Sequence, residues 1–573
     1  MPSSTSHSAN SEHSKSSISS PLGSQSSLGN LVVWKTVWLR NFLLLLMILG
    51  IFFRFYHIDH KVYWYDETMT SLRISGYTQT QFEETIYGKN RFTIGELRGQ
   101  YQYPTNDSSS ADMWTALAQH PEHSPAYYVL ARAWMQLWPN QVVSIRLLSV
   151  LISLLALPCM YWLTWELFGS DLASWAATAT LAISPFHVLY AQEAREYALW
   201  TVTILLSSAT LLWANRHSSP YRWLVYGLTN ALGLYVHPFS AFVSVSHGVY
   251  ILVSERFCLS RRSWLYLMAT GLSVILLIPW LVTVWNQADL FVSNTASVNQ
   301  PRAGVLQLFW LLNLSRLFFD LNQGPSAINP IHYILAGLLI LSVWNLYRRA
   351  TPNSFGFVMV LMGVTGLAIL GPDILLGGRR SSITRYAIPA YLGIQISMAF
   401  LFASQISRNP FATHGAFRLS KPWRNGAIAL ALAGILSCAV NSHYPVWWHK
   451  SYAKSRRNPD VAEFINGFVK QQKEPTNGVM QRRQKYRPLV ISDKKPAGQV
   501  LSLSHLLESD VNIQLVDHPG EAKTPKRFDP IFLYLPSERL KQKVEEKTHS
   551  TLVPVTFGQN DEPWLWQVPS QEG

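Results

Sequence analysis

Long apolar runs recur along most of this 573-residue chain and constrain its fold more than any other feature. They fall at about 37–56, 144–168, 172–190, 197–214, 222–236, 238–254, 262–284, 331–347, 356–376, 385–404 and 426–441. A run of about 20 such residues crosses a bilayer as a helix, because a helix satisfies its own backbone hydrogen bonds where water is absent. The pattern predicts an α-helical polytopic membrane protein with about eleven spans. Only 14% of the residues are charged, against roughly 25% in a soluble domain, and the 22 Trp and 25 Tyr suit the two bilayer interfaces. Residues 1–36 begin Ser-rich and without an apolar core, so they read as a disordered cytoplasmic tail before a retained first span, not as a cleaved signal.

Basic residues set the expected orientation. With the N-terminus inside, the inside connections are 165–171, 215–222, 255–262, 345–354 and 405–425, and four of these five are rich in Arg, Lys or His. The outside then receives the 57–143 loop, the 192–195 turn, the 285–330 loop and everything beyond about residue 442. The apolar stretch 126–138 is too short to span, so it reads as a helix on or dipping into the outer face. This divides the chain into the tail 1–36, a transmembrane domain 37–441 that includes the 57–143 loop, and an extracytoplasmic region 442–573. In the last, 461–470 reads as an amphipathic helix and 488–492, 511–516 and 530–535 as strands, which predicts a small α/β domain. Neither the large loop nor this domain holds a cysteine, since Cys159 and Cys438 fall in spans and Cys258 in an inside loop. The 285–330 loop, with Arg302, Arg316 and Asp320, is long enough for a mobile lid.

Charged residues gather at the outer boundary. Tyr65-Asp66-Glu67-Thr68 follows the first span by about ten residues. One carboxylate of such a pair can take a proton while the other positions an acceptor or a cation, which suits chemistry on a lipid-linked substrate. The plainer alternative makes Asp66 the cap of a short interfacial helix. Between two spans, Ser184-Pro185 loosens the helix ahead of Gln192-Glu193-Ala194-Arg195-Glu196, where Glu193 and Arg195 either pair or bind a substrate. Arg379, Arg380 and Arg385 are basic on the outside, against the prevailing rule. They either anchor headgroups or grip an anion such as a lipid phosphate.

Tyr65-Asp66-Glu67, His123-Ser124-Pro125-Ala126-Tyr127-Tyr128, Ile145-Arg146-Leu147-Leu148-Ser149, Glu166-Leu167-Phe168-Gly169 and the 184–197 motif together resemble bacterial GT-C membrane glycosyltransferases. The likeness is to the protein O-mannosyltransferase-like family, which includes aminoarabinose transferases. It covers about 37–255, weakens to residue 400 and is absent beyond. It implies a GT-C fold, an active site at the outer surface of a plasma membrane and a sugar donor carried on polyprenyl phosphate. It also implies Asp66 as the catalytic carboxylate with Glu67 beside it, Glu193 and Arg195 in a second external motif, and Arg385-Tyr386 opening a late span. Ser124 stands where most relatives have proline, a departure expected to alter only the turn.

Transfer from such a donor needs cations for the leaving phosphate and a carboxylate for the acceptor hydroxyl. Asp66 is the expected base. Arg379, Arg380, Arg385 and Arg146 are candidates for the phosphate, while Glu193, Arg195, Tyr386 and His123 complete the expected substrate site. The acceptor, whether protein hydroxyl, lipid or glycan, is not written in the sequence. No cofactor is required, and a divalent metal stays open because His120, His123, His237, Glu67 and Glu193 lack sequential ligand spacing. The net charge of +14 is met by anionic membrane lipid and calls for no nucleic acid. Rival readings are a multispan transporter or flippase, or a noncatalytic assembly subunit. Transporters place their charges at mid-membrane and repeat their halves, whereas here the charges lie at one boundary.

Overall fold

The computed structural model describes residues 25–88, 91–217, 219–300, 305–406, 421–448, 455–473, 487–493, 497–525, 528–557 and 562–569. Among them eight helices are long and apolar enough to cross a membrane, and the pair Asp171–Ala182 and Pro185–Ala191, bent by 59°, makes a ninth if counted as one span. The eight begin with 37–55 and continue through Val142–Phe168, Tyr197–His217, Arg261–Asn286, Pro330–Arg349, Pro352–Leu375, 384–406 and Lys421–His443. All eleven expected runs are helical. Pro220–Val236 and Ser240–Ser254, with 17 and 15 residues, fall short of the usual crossing length. Of the expected tail, 1–24 lies outside the described residues, while 25–36 extends the first helix, which runs Gln25–Phe55.

Local chemistry sets the breaks between spans. Val142–Phe168 ends on Gly169 at φ 57°, a left-handed cap that costs glycine little, and Ser170 then caps the next helix through the Ala173 N–H. Pro185 occupies the first position of its helix, so the chain bends where a backbone donor is missing.

The 57–143 loop folds into five short helices: Tyr65–Ile74, Gln79–Gly88, Ile94–Tyr101, Ser110–Ala118 and Ala126–Met135. The last is ten residues long and not a span, as its length predicted. It buries Tyr127, Tyr128 and Met135 against neighbouring helices.

The C-terminal region carries the expected α/β unit. Strands β1 (Phe92–Thr93), β2 (Leu489–Asp493), β3 (Asn512–Val516), β4 (Ile531–Tyr534), β5 (Val553–Val555) and β6 (Leu565–Val568) form one sheet in the order β1-β3-β2-β4-β6-β5. β3, β2 and β4 are parallel, and every residue of β2 is buried, as in sheets covered on both faces. Val490, Ile513 and Phe532 point to one side, together with Asn458–Lys473, Ala497–Ser504 and the loop residues Met69, Phe82, Ile94 and Leu97. Leu489, Ile491 and Leu533 point to the other, against Leu540 and Val544 of Glu538–Thr548. The outer strand β1 belongs to the first loop and pairs with β3 through Phe92 and Ile513. The loop grouped with the spans by sequence therefore shares its core with the C-terminal region.

The 285–330 segment is only partly a surface loop. Arg302 lies outside the described residues, whereas Arg316 and Asp320 are buried. The Asp320 carboxylate accepts from the indole N–H groups of Trp447 (2.9 Å) and Trp448 and from the Asn322 N–H. A lid is thus excluded for its second half: an apolar helix, Leu306–Ser315, carries the chain into the core there. Ala288–Thr295 buries none of its residues.

Candidate active site

The Tyr65–Ile74 helix carries the acidic pair and begins one residue before it, so Asp66 lies in the first turn and Trp64 is the cap. The two carboxylates have different fates. Glu67 is fully buried and accepts from Arg146 Nε (2.9 Å, Oε1), Arg146 Nη2 (2.7 Å, Oε2) and the Ala194 N–H (2.8 Å, Oε1). Arg146 spends its remaining N–H groups on the carbonyls of Ile58, Lys61 and Val62 at 2.9–3.0 Å. All five donors of a guanidinium are thus engaged. Arg146 cannot grip a phosphate without dismantling this junction, which corrects the expectation that it does. The acceptor sites of Glu67 face protein donors, which fits a structural role.

Asp66, about 100° round the helix from Glu67, turns its carboxylate toward Arg385 instead. Its Oδ2 lies 3.4 Å from Arg385 Nη2, and the two side chains are 20% and 19% exposed. Charge-assisted pairs usually close to about 2.7–2.9 Å, so this contact is loose enough for a substrate to enter. The Arg385 guanidinium is ringed by Trp64, Tyr197 and Tyr386, whose centroids lie 6.0, 5.5 and 5.7 Å away.

Arg195 fixes the helix from the second motif. Its Nη1 donates to Thr70 Oγ1 (3.0 Å), the Asp66 carbonyl (3.3 Å) and Tyr128 OH (3.4 Å), and its Nη2 to Glu196 Oε1 (2.9 Å). Through these contacts Arg195 holds the Asp66 backbone from behind, while its buried Nε has no partner among the described residues. Its expected partner Glu193 is buried in the same turn, but the observed carboxylate partner is Glu196. His123 lies between Glu196 Oε1 (3.9 Å) and Glu122 Oε1 (3.8 Å). Burial, then the charges of Arg73 and Arg195, hold its pKa well below the ordinary histidine value. Ser124 does more than shape a turn: its buried hydroxyl donates to the Leu234 carbonyl at 3.1 Å, tying the loop to Pro220–Val236.

Two of the expected arginines stand apart. Arg380 pairs with Asp373 at 3.4 Å and with the Asn299 side chain, and Asp373 is further held by Ser381 N and Oγ at 2.7 and 2.6 Å. The half-buried Arg379 side chain has no hydrogen-bond or ion-pair partner among the described residues. Among those residues, no group of three or more His, Cys, Asp or Glu is arranged to hold a metal ion. His237 instead stacks on Trp200 at 3.9 Å and accepts the Phe239 N–H through Nδ1 at 3.1 Å, as an interfacial turn would. Sequence reasoning missed Thr70 and Arg73, which follow Asp66 at helical spacing, and Tyr128 and Tyr197, which read there only as parts of motifs.

Residues 120–283 match the family model described as dolichyl-phosphate-mannose-protein mannosyltransferase. No curated protein matches the chain. Similar solved structures include ArnT from Cupriavidus metallidurans bound to undecaprenyl phosphate (TM-score 0.49, 13% identity, 94% of this chain and 98% of that one covered). The apo state of that protein gives 0.47 at 14% identity over 78% and 87%. The Archaeoglobus fulgidus oligosaccharyltransferase in its apo form gives 0.45 at 13% identity over 83% and 65%.

Proposed function

We propose that this chain is a membrane glycosyltransferase of the GT-C type that moves a sugar from a polyprenyl-phosphate donor to an acceptor hydroxyl at the outer face of the plasma membrane. The observation that carries this reading is the Asp66–Arg385 pair, a partly exposed carboxylate and guanidinium 3.4 Å apart on an otherwise buried, hydrogen-bonded frame. The match of 120–283 to a mannosyltransferase family supports the same reading.

In this mechanism the acceptor oxygen attacks the anomeric carbon on the face opposite the phosphate. The carbon–oxygen bond to phosphate breaks as the new glycosidic bond forms, giving inversion. Asp66 takes the hydroxyl proton, and Arg385 receives the charge that develops on the leaving phosphate. Arg379, which has no hydrogen-bond or ion-pair partner among the described residues, remains a candidate to assist when the polyprenyl phosphate enters. Arg195, Thr70 and the Glu67–Arg146 junction hold the helix so that the base does not wander, which is where positioning contributes most. The Asp66 helix, the Gln192–Tyr197 turn and Arg385 meet at one end of the bundle, which supports a single reaction face.

The test is sugar transfer by the purified chain in detergent, from a panel of radiolabelled polyprenyl-phosphate sugars. Transfer or slow donor hydrolysis with at least one donor is expected. Absence of both with every donor would contradict the reading and favour transport or assembly.

A further inference from the structure

Arg73 is the one buried arginine, among the described residues, whose side chain makes no hydrogen bond or ion pair. It is 6% exposed, and its Nη1 is sealed from solvent without a partner. The other buried arginines each make at least one side-chain hydrogen bond, although Nε of Arg54, Arg132, Arg195 and Arg316 has none: Arg54 with the carbonyls of Gly50 and Ala182, Arg132 with those of Ile74 and Ser108, and Arg316 with Asn313, besides Arg146 and Arg195. A buried guanidinium without compensation is costly, and arginine is rarely buried unless paired.

Its position gives that cost a use. Asp66, Thr70 and Arg73 follow one another at i, i+4 and i+7, on one face of the helix. Seven residues at 1.5 Å each put Arg73 about 10 Å along the axis from the base. Arg385 sits at the opposite end, beside Trp64. The positive charge of Arg73, after burial, helps keep the imidazoles of His120 and His123 neutral, and Glu122 Oε1 lies 3.2 Å from His120 and 3.8 Å from His123. A neutral imidazole still offers one N–H donor to an anion.

We propose that Arg73 anchors a second anion subsite, which holds a phosphate or carboxylate group of the acceptor while Arg385 holds the donor phosphate. That the anion belongs to an acceptor rests on the transferase reading; that the site binds an anion does not. An acceptor hydroxyl at Asp66 and an anionic group about two helix turns further on would be engaged together, so acceptors carrying such a group are selected over neutral ones.

The experiment is thermal denaturation of the full chain in detergent at constant ionic strength, with inorganic phosphate, with dihexanoyl phosphatidylglycerol, or with dihexanoyl phosphatidylcholine as the zwitterionic control. Wild type should gain Tm with the anions and not with the control. Arg385→Gln should keep part of that gain, and Arg385→Gln combined with Arg73→Gln should lose it. Arg73→Lys, which retains charge without the fork, should keep a smaller gain. A gain with phosphate itself supports recognition of the bare group, and a gain confined to phosphatidylglycerol supports a lipid-borne one. Without anion, Arg73→Gln should melt at or above the wild-type temperature, because an uncompensated charge has been removed. Loss of the whole gain in Arg385→Gln alone, or an anion-free Tm several degrees lower in Arg73→Gln, would overturn the proposal. No sugar transfer enters the readout, so failure here and failure of the transferase reading are separable.

Discussion

Arg146 and Glu67 form a two-pronged buried pair, Nε to Oε1 at 2.9 Å and Nη2 to Oε2 at 2.7 Å, at the junction of the 57–143 loop and the Val142–Phe168 span. Adjacent acidic residues thus divide the work: Glu67 holds the helix that presents Asp66. Glu67→Gln leaves Arg146 charged and half-partnered in the interior. Breaking one side of such a pair costs about 3–5 kcal/mol, so the variant should melt well below wild type in a detergent thermal-shift assay or fail to purify as a single species. Arg146→Ala should behave alike.

Arg385 presents the opposite case. Its contact with Asp66 is loose and a fifth exposed, so Arg385→Gln should leave Tm within a few degrees of wild type. Turnover should fall by about 10²–10³, the scale for losing one charge-stabilising donor. Arg385→Lys should recover part of the loss, because it restores the charge and not the planar fork.

The C-terminal region reaches the Asp66 helix directly. A Cβ at Gly498 would lie within van der Waals radii of the Tyr65 ring and the Met69 methyl, one residue before and three after Asp66. Ser502 Oγ donates to the Tyr63 carbonyl at 2.7 Å, and His505 bonds Gln102, which in turn donates to the Thr68 carbonyl. Gly498→Val should therefore lower both stability, by about 1–3 kcal/mol as overpacking does, and kcat, by displacing Tyr65 and Asp66. Gly467, with open space around it, is the control: Gly467→Ala should leave kcat unchanged.

His237 links stability to pH. Burial, then the positive charges of Arg195 and Arg385, lower its pKa to about 3. The unfolded chain takes up this proton near the ordinary value of about 6.5 while the native state does not. Unfolding therefore binds protons between about pH 6.5 and 3, and stability falls as pH drops through that window, by at most about 1.4 kcal/mol per pH unit for this group. His237→Gln should flatten the decline of Tm between pH 6.5 and 5. A slope equal to that of wild type would show that other groups govern it.

Much of this arrangement was legible in the chain. The apolar runs gave helices at every expected place, because a bilayer forces backbone hydrogen bonds to close within each segment. Strands β2, β3 and β4 fell within about two residues of their expected limits, since short β-branched runs between turns have few alternatives. Asp66 and the 192–197 turn were expected on one side and do meet. What stayed hidden depends on long-range geometry. Asp66 and Glu67 look equivalent in sequence, and only their different directions on the helix separate the proposed base from the brace. Arg146 binds three carbonyls, which carry no residue-type signature. The two-residue β1 completes a sheet whose other strands lie roughly 400 residues downstream, where no local periodicity could announce it.

The most direct measurement compares Asp66→Asn with wild type and with Glu67→Gln, reading Tm and turnover of a polyprenyl-phosphate sugar in the same preparations. Asp66→Asn should fold like wild type and lose about 10²–10⁴ in kcat, the range for removing a general base, while Glu67→Gln should lose stability first. Wild-type turnover in a well-folded Asp66→Asn would contradict the assignment of Asp66 as the base and with it the mechanism.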